Sequence, residues 1–140
     1  MTAITIAEFD TLLENEMPWA LAAGLTLEKL EKGKATMRIP YNDGMLRPGG
    51  TVSGPSMMAL ADACMYAVVL SEVGHVALAV TTNLNINFLR KPPQKSLVAE
   101  GSTLKIGKRL AVLEVTIYSE GDDEPVAHST GTYSIPPRAL

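Results

Sequence analysis

Asp62 is the first residue whose type and place call for chemistry. It stands in ALADACMYA, inside a stretch that is otherwise apolar. A carboxylate is seldom buried without a partner, because taking its charge out of water is costly. Two readings follow. Asp62 is a structural carboxylate, bonded to backbone N–H groups or facing water, or it is held ready as a general base or nucleophile. Glu72, near the end of the same stretch, is placed to reach solvent.

The approach to that stretch, PYNDGMLRPGGTVSG over residues 40–54, is the second feature. A helix starting after it presents unpaired N–H groups, which attract negative charge and can polarise a carbonyl or hold an oxyanion. Gly49, Gly50 and Gly54 let a ligand come close to the backbone. The plainer reading is a flexible turn and a helix cap, with Ser53 as N-cap. The glycine spacing is not that of a phosphate-binding loop. Gly54 and Asp62 are eight residues apart in the sequence, about 12 Å along a helix. One carbonyl carbon cannot easily meet both groups of one chain. If both act on one substrate, the second comes from a neighbouring subunit, and function requires a dimer.

The strand-like run TTNLNINFLRK is the third feature. Alternation puts Thr82, Leu84, Ile86 and Phe88 on one face and Thr81, Asn83, Asn85 and Asn87 on the other. Asparagine is disfavoured in strands. The ladder lines a wet interface, positions a substrate (Asn83 being the candidate), or is simply a solvated face. Other chemistries have less to stand on. His75 and His128 are the only histidines, and neither has a nearby cysteine or second histidine for a metal. No nucleophile elbow is present. Cys64 sits among apolar residues and reads as inert core. Neither a metal nor a redox cofactor is expected.

The elements that must position these residues can be read from periodicity. Residues 5–16 form a short amphipathic helix, capped by Thr5 with Glu8 as its capping-box partner. Met17-Pro18-Trp19 then breaks the pattern. Residues 21–31 and 33–39 read as strands joined near Lys32-Gly33. Residues 55–73 form the central helix, with Pro55 in its first turn and Gly74 at its end. A helix apolar on every side is a buried one. Ala59, Ala63 and Ala67 give it a narrow edge against which a sheet can approach. Residues 77–89, 96–106, 109–119 and 125–135 read as strands, with turns at Gly107-Lys108 and Gly121-Asp122-Asp123. The pattern calls for one α+β domain over residues 1–140, a curved antiparallel sheet wrapped around one long central helix.

Composition agrees with such a domain. The chain has 140 residues, of which 46% are hydrophobic and 19% charged, enough for a core of its own. The net charge is −3 with no basic block, so nucleic acid is not an expected partner. The longest apolar run, Ala63–Leu70, is shorter than a membrane span. The first residues carry acids and do not resemble a signal peptide. A cytoplasmic protein is expected.

The stretch RPGGTVSGPSMMALAD resembles the signature of the PaaI-like hotdog-fold acyl-CoA thioesterases. That signature runs Asn, two residues, Gly, two residues, His-Gly-Gly, and then a helix carrying Leu-x-Asp. The match is without a gap and ends on Leu60 and Asp62. TTNLNINFLRKP is similar to the family's strand after the helix, and VAHSTGTYSIP to its last strand. The resemblance implies hydrolysis of an acyl thioester such as acyl-CoA, at a site between two subunits. It makes Asp62 the catalytic carboxylate, Gly54 the N–H that polarises the carbonyl, and Thr81 a group that orients water. Three positions depart from the signature: Arg47 for asparagine, Ser53 for histidine and Pro55 for the second glycine. Arg47 and Ser53 would help hold the substrate, while Arg47 could instead pair with Asp62. Arg90, Lys91, Lys105, Lys108 and Arg109 are candidates for CoA phosphates. A homodimer, or paired dimers forming a tetramer, is implied. The alternatives are a non-catalytic acyl-CoA-binding module on the same fold, a hydratase, for which the helix lacks a histidine, and a purely structural oligomer.

Overall fold

The structure is a computed structural model and describes residues 1–137. Helix α1 (Ile6–Glu16) starts as the sequence requires. The Thr5 hydroxyl accepts from the Glu8 N–H at 3.1 Å, and the Glu8 carboxylate accepts from the Thr5 N–H at 2.9 Å. Phe9, Leu12 and Leu13 turn into the core.

The next segment corrects the sequence reading. Residues 18–22 are a short helix, α2 (Pro18–Ala22), rather than a break followed at once by a strand. Proline at a helix start costs nothing there, since the first-turn N–H groups lack intrahelical acceptors anyway. The chain turns at Gly24, which has φ 83°, and β1 (Thr26–Glu31) begins later than residue 21. β2 (Lys34–Ile39) pairs back on it. The glycine-rich approach is also more ordered than a plain loop. It holds a 3-10 turn at Asp43–Met45 and a small hairpin of β3 (Leu46–Arg47) and β4 (Thr51–Val52).

Helix α3 (Gly54–Val73) is the element around which the rest is arranged. Four strands follow: β5 (Val80–Phe88), β6 (Leu97–Ile106), β7 (Leu110–Ser119) and β8 (Pro125–Ser134). They join the first hairpin in one antiparallel sheet of order β1-β2-β6-β7-β8-β5. Every strand of this sheet touches α3. By length and composition α3 could cross a membrane, yet it is the buried helix of the core. Leu60, Cys64, Met65, Val68 and Leu70 are all fully buried on it. This is the curved sheet around one central helix that the sequence called for. The close helix–sheet approach is visible at two strand glycines. A Cβ on Gly101 would come within 2.9 Å of Cys64 Sγ and 3.0 Å of Val68 Cγ2, and one on Gly131 within 2.5 Å of Met65 Sδ.

One irregularity in β5 matters for the site. Thr81 lies opposite Tyr133, but Asn83 lies opposite Thr132, so the extra residue Thr82 forms a bulge. A bulge shifts the alternation by one residue. Thr81 is therefore on the helix-facing side with Leu84 and Ile86, not with the asparagines as simple alternation predicts. Asn83, Asn85 and Asn87 stay on the outer side, opposite Thr132, Thr130 and His128.

Candidate active site

Asp62 is half-buried, the polar interruption in the buried run of α3. Its Oδ1 accepts two hydrogen bonds, from the Thr81 hydroxyl at 2.6 Å and from the Tyr133 hydroxyl at 2.7 Å. Both distances are short, as expected when the acceptor is ionised. The Tyr133 oxygen is also 3.0 Å from the Asp62 carbonyl oxygen. Two elements far apart in sequence thus converge on one carboxylate. The β5 bulge brings Thr81, and the regular alternation of β8 brings Tyr133 beside Gly131 and Ser129 on the inner face. Among the described residues no cation pairs with Asp62.

The carboxylate opens into a pocket of about 150 Å³, walled by Met17, Trp19, Ala63, Tyr66 and Ala79. Tyr66 stacks on Tyr133, with ring centroids 6.1 Å apart and planes inclined by 24°. The Tyr66 hydroxyl donates to the Ala77 carbonyl at 2.9 Å, which ties the segment before β5 to the helix. Burial, followed by the charge of Asp62, pushes the Tyr133 phenol well above its ordinary range. It therefore stays protonated and remains a donor.

The start of α3 is a different place. Ser53 is the N-cap, and its hydroxyl accepts from the Ser56 N–H at 3.4 Å. The Met57 N–H goes to the Ser53 carbonyl, and Pro55 has none. Among the described residues this leaves the Gly54 N–H without an acceptor. Gly54 lines a second pocket, of about 380 Å³, together with Arg47, Met57, Phe88, Arg90 and Lys91. Phe88 lies against it so closely that a Cβ on Gly54 would stand 3.1 Å from the ring. Arg90 is paired with Glu124.

The residues singled out from the sequence are thus divided between two locations. Asp62 and Thr81 are together, joined by a direct bond. Gly54 and Arg47 share the other pocket, and Arg47 makes no ion pair with Asp62 of its own chain. The Ser53 hydroxyl is engaged in the cap and 3.0 Å from the Ser56 hydroxyl. Asn83 faces outward, its side chain accepting from Asn85 at 2.9 Å, and lines neither pocket. Lys105, Lys108 and Arg109 are exposed around the β6–β7 turn, away from both. Arg90 and Lys91 are the two of that basic set that sit beside Gly54. Sequence reasoning missed Tyr133, Met17 and Trp19. For Tyr133 the available signal was its place two residues after Gly131 on the inward face of a strand.

The sequence and fold can be set beside known proteins. The profile of the thioesterase superfamily matches residues 49–126, a span that holds Gly54, Asp62 and Thr81. A crystal structure of a "putative thioesterase" from Silicibacter sp. TM1040 superposes with a TM-score of 0.89 at 45% identity, over 98% of this chain and 95% of that one. A variant of the phenylacetic acid degradation protein PaaI from Thermus thermophilus superposes with a TM-score of 0.76 at 26% identity, covering 85% of this chain and 99% of that one. A "putative esterase" of Saccharolobus solfataricus is 30% identical over 133 residues, 94% of this chain and 86% of that protein.

Proposed function

From the premise that this chain belongs to the thioesterase superfamily, with the PaaI-like hotdog architecture, we propose that it hydrolyses an acyl-CoA thioester at a site shared by two subunits. Asp62 of one subunit takes the proton of the attacking water, or attacks directly, with Thr81 beside it. The Gly54 N–H of the other subunit holds the oxyanion that forms as the thioester carbonyl is attacked. The acyl group lies in the pocket walled by Trp19 and Tyr66. Arg47, Arg90 and Lys91 face the phosphates of CoA. Ser53 supports the donor by fixing the first turn of α3. No metal or redox group is called for by this chemistry.

The observation that carries the reading is the placement of the two half-sites at opposite ends of β5. Val80 and Thr81 border the Asp62 pocket, and Phe88 and Leu89 border the Gly54 pocket. β5 is an edge strand. Its nine residues carry no charge, and Val80 and Phe88 are exposed apolar groups. The opposite edge, β1, reads TLEKLE and is blunted by charge. Pairing β5 antiparallel with its copy across a two-fold axis sets the Val80 end of one subunit beside the Phe88 end of the other. Each Asp62 pocket then adjoins the Gly54 pocket of the partner.

The test is thiol release from a panel of acyl-CoAs. Asp62→Asn keeps the shape and removes the base, and turnover should fall by about 10²–10⁴. Unchanged turnover in that variant would remove Asp62 from the mechanism. Pro55 and the engaged Ser53 hydroxyl leave one backbone donor at the helix start, which favours a second reading, binding of acyl-CoA without hydrolysis. Saturable binding with no thiol release across the panel would decide for it.

A further inference from the structure

We propose that Tyr133 is a positioning residue for Asp62: with Thr81 it fixes Oδ1, so that Oδ2 is the oxygen that meets water or the thioester. The inference rests on Asp62 acting in the reaction and goes beyond it by assigning separate roles to the two oxygens. Oδ1 receives both hydroxyls, at 2.6 and 2.7 Å. Oδ2 has no hydrogen-bond partner among the described residues, yet it is not among the buried polar atoms left unsatisfied. It is therefore not sealed from solvent, and Asp62 lines the pocket. A carboxylate held by one hydroxyl can still swing about its last bond. Two donors from different strands, both on the same oxygen, remove that freedom and keep the second oxygen aimed.

Tyr133 is suited to this and little else. The residue is 3% exposed and its ring is stacked on Tyr66, which holds the hydroxyl against Asp62, 2.7 Å from Oδ1 and 3.0 Å from the carbonyl oxygen. Burial and the neighbouring charge keep its proton in place. It is thus a fixed donor, not an acid in the reaction. The other titratable side chain lining the pocket is Tyr66, whose hydroxyl is spent on the Ala77 carbonyl. Removing the Tyr133 hydroxyl leaves Oδ1 with the Thr81 hydroxyl alone and lets the carboxylate swing about its last bond. The loss then falls on the reacting geometry and not on substrate binding, so kcat drops while KM holds.

The experiment measures kcat and KM separately for acyl-CoA hydrolysis in the parent protein, Tyr133→Phe and Asp62→Asn. Phenylalanine retains the ring and the stack, and a thermal melt checks that the fold is kept. Expected for Tyr133→Phe is a loss of about tenfold in kcat with KM unchanged. A rise in KM with kcat kept would mean that the hydroxyl only shapes the pocket and would overturn the proposal. So would kcat and KM both equal to the parent's. Full activity in Asp62→Asn would overturn both this inference and the reading beneath it. An inactive Asp62→Asn beside a parent-like Tyr133→Phe would overturn this inference alone.

Discussion

Asp62 and Cys64 are two residues apart on α3 and have opposite fates. Asp62 is half-buried, bonded by two hydroxyls and open to a pocket. Cys64 is fully buried, and its Sγ lies 3.7 Å from the Ala35 carbonyl oxygen and 3.8 Å from that of Ala99. Loss of solvation pushes its thiol up to about 12. At pH 8 it is neutral and out of reach, so iodoacetamide should leave it unmodified in the folded protein and label it readily in denaturant. Rapid labelling of the native protein would contradict this burial. The raised thiol also has a sign for stability. Above the unfolded value near 9 the unfolded chain loses the proton first, so stability declines as pH rises toward the folded value. Both residues were legible in the sequence, one as a carboxylate in an apolar helix and the other as an apolar-flanked cysteine. Tyr133 was not. It lies 71 positions from Asp62, and a tyrosine in a strand is ordinary.

At the scale of elements, the site depends on how α3 meets the sheet. The helix was plain from its unbroken apolar character and its end at Gly74. The sheet's part was harder to read, because Gly101 and Gly131 show their reason only once the helix lies against them. Gly101→Ala should destabilise the fold by about 1–3 kcal/mol through overpacking against Cys64 and Val68, lowering the melting temperature by several degrees. A melt within error of the parent would show that the neighbours yield freely. Two local features escaped the sequence reading for definite reasons. Pro18 was taken only as a breaker, although a proline is equally at home in the first turn of α2. The β5 bulge has no signature in TTNLNINF, since one extra residue changes the face of Thr81 without changing the composition. Predicting Thr81 as a site residue therefore rested on family resemblance, and the backbone supplies the geometry behind it.

The whole molecule, taken as one chain, holds two separate pockets, which the proposed reaction uses as half-sites. The Asp62 pocket and the Gly54 pocket share no lining residue. This separation was already implied by eight residues of helix, and it is why dimerisation belongs to the functional reading. The direct measurement is complementation between two defective subunits. Asp62→Asn removes the carboxylate. Gly54→Pro removes the N–H; Ser53, at φ −73° and ψ 153°, already has the extended backbone that precedes a proline, but the new Cβ would stand 3.1 Å from the Phe88 ring, so a thermal melt checks that the fold is kept. Each variant alone should be nearly inactive. Unfolded together in equal amounts and refolded, half the dimers are hybrids, and each hybrid has one site with both groups intact. Acyl-CoA hydrolysis should then recover to about a quarter of the parent rate, the value for random pairing in a two-fold dimer. If the mixture stays at the level of the separate variants while hybrids are shown to form, Asp62 and Gly54 do not meet across subunits, and the shared site is wrong.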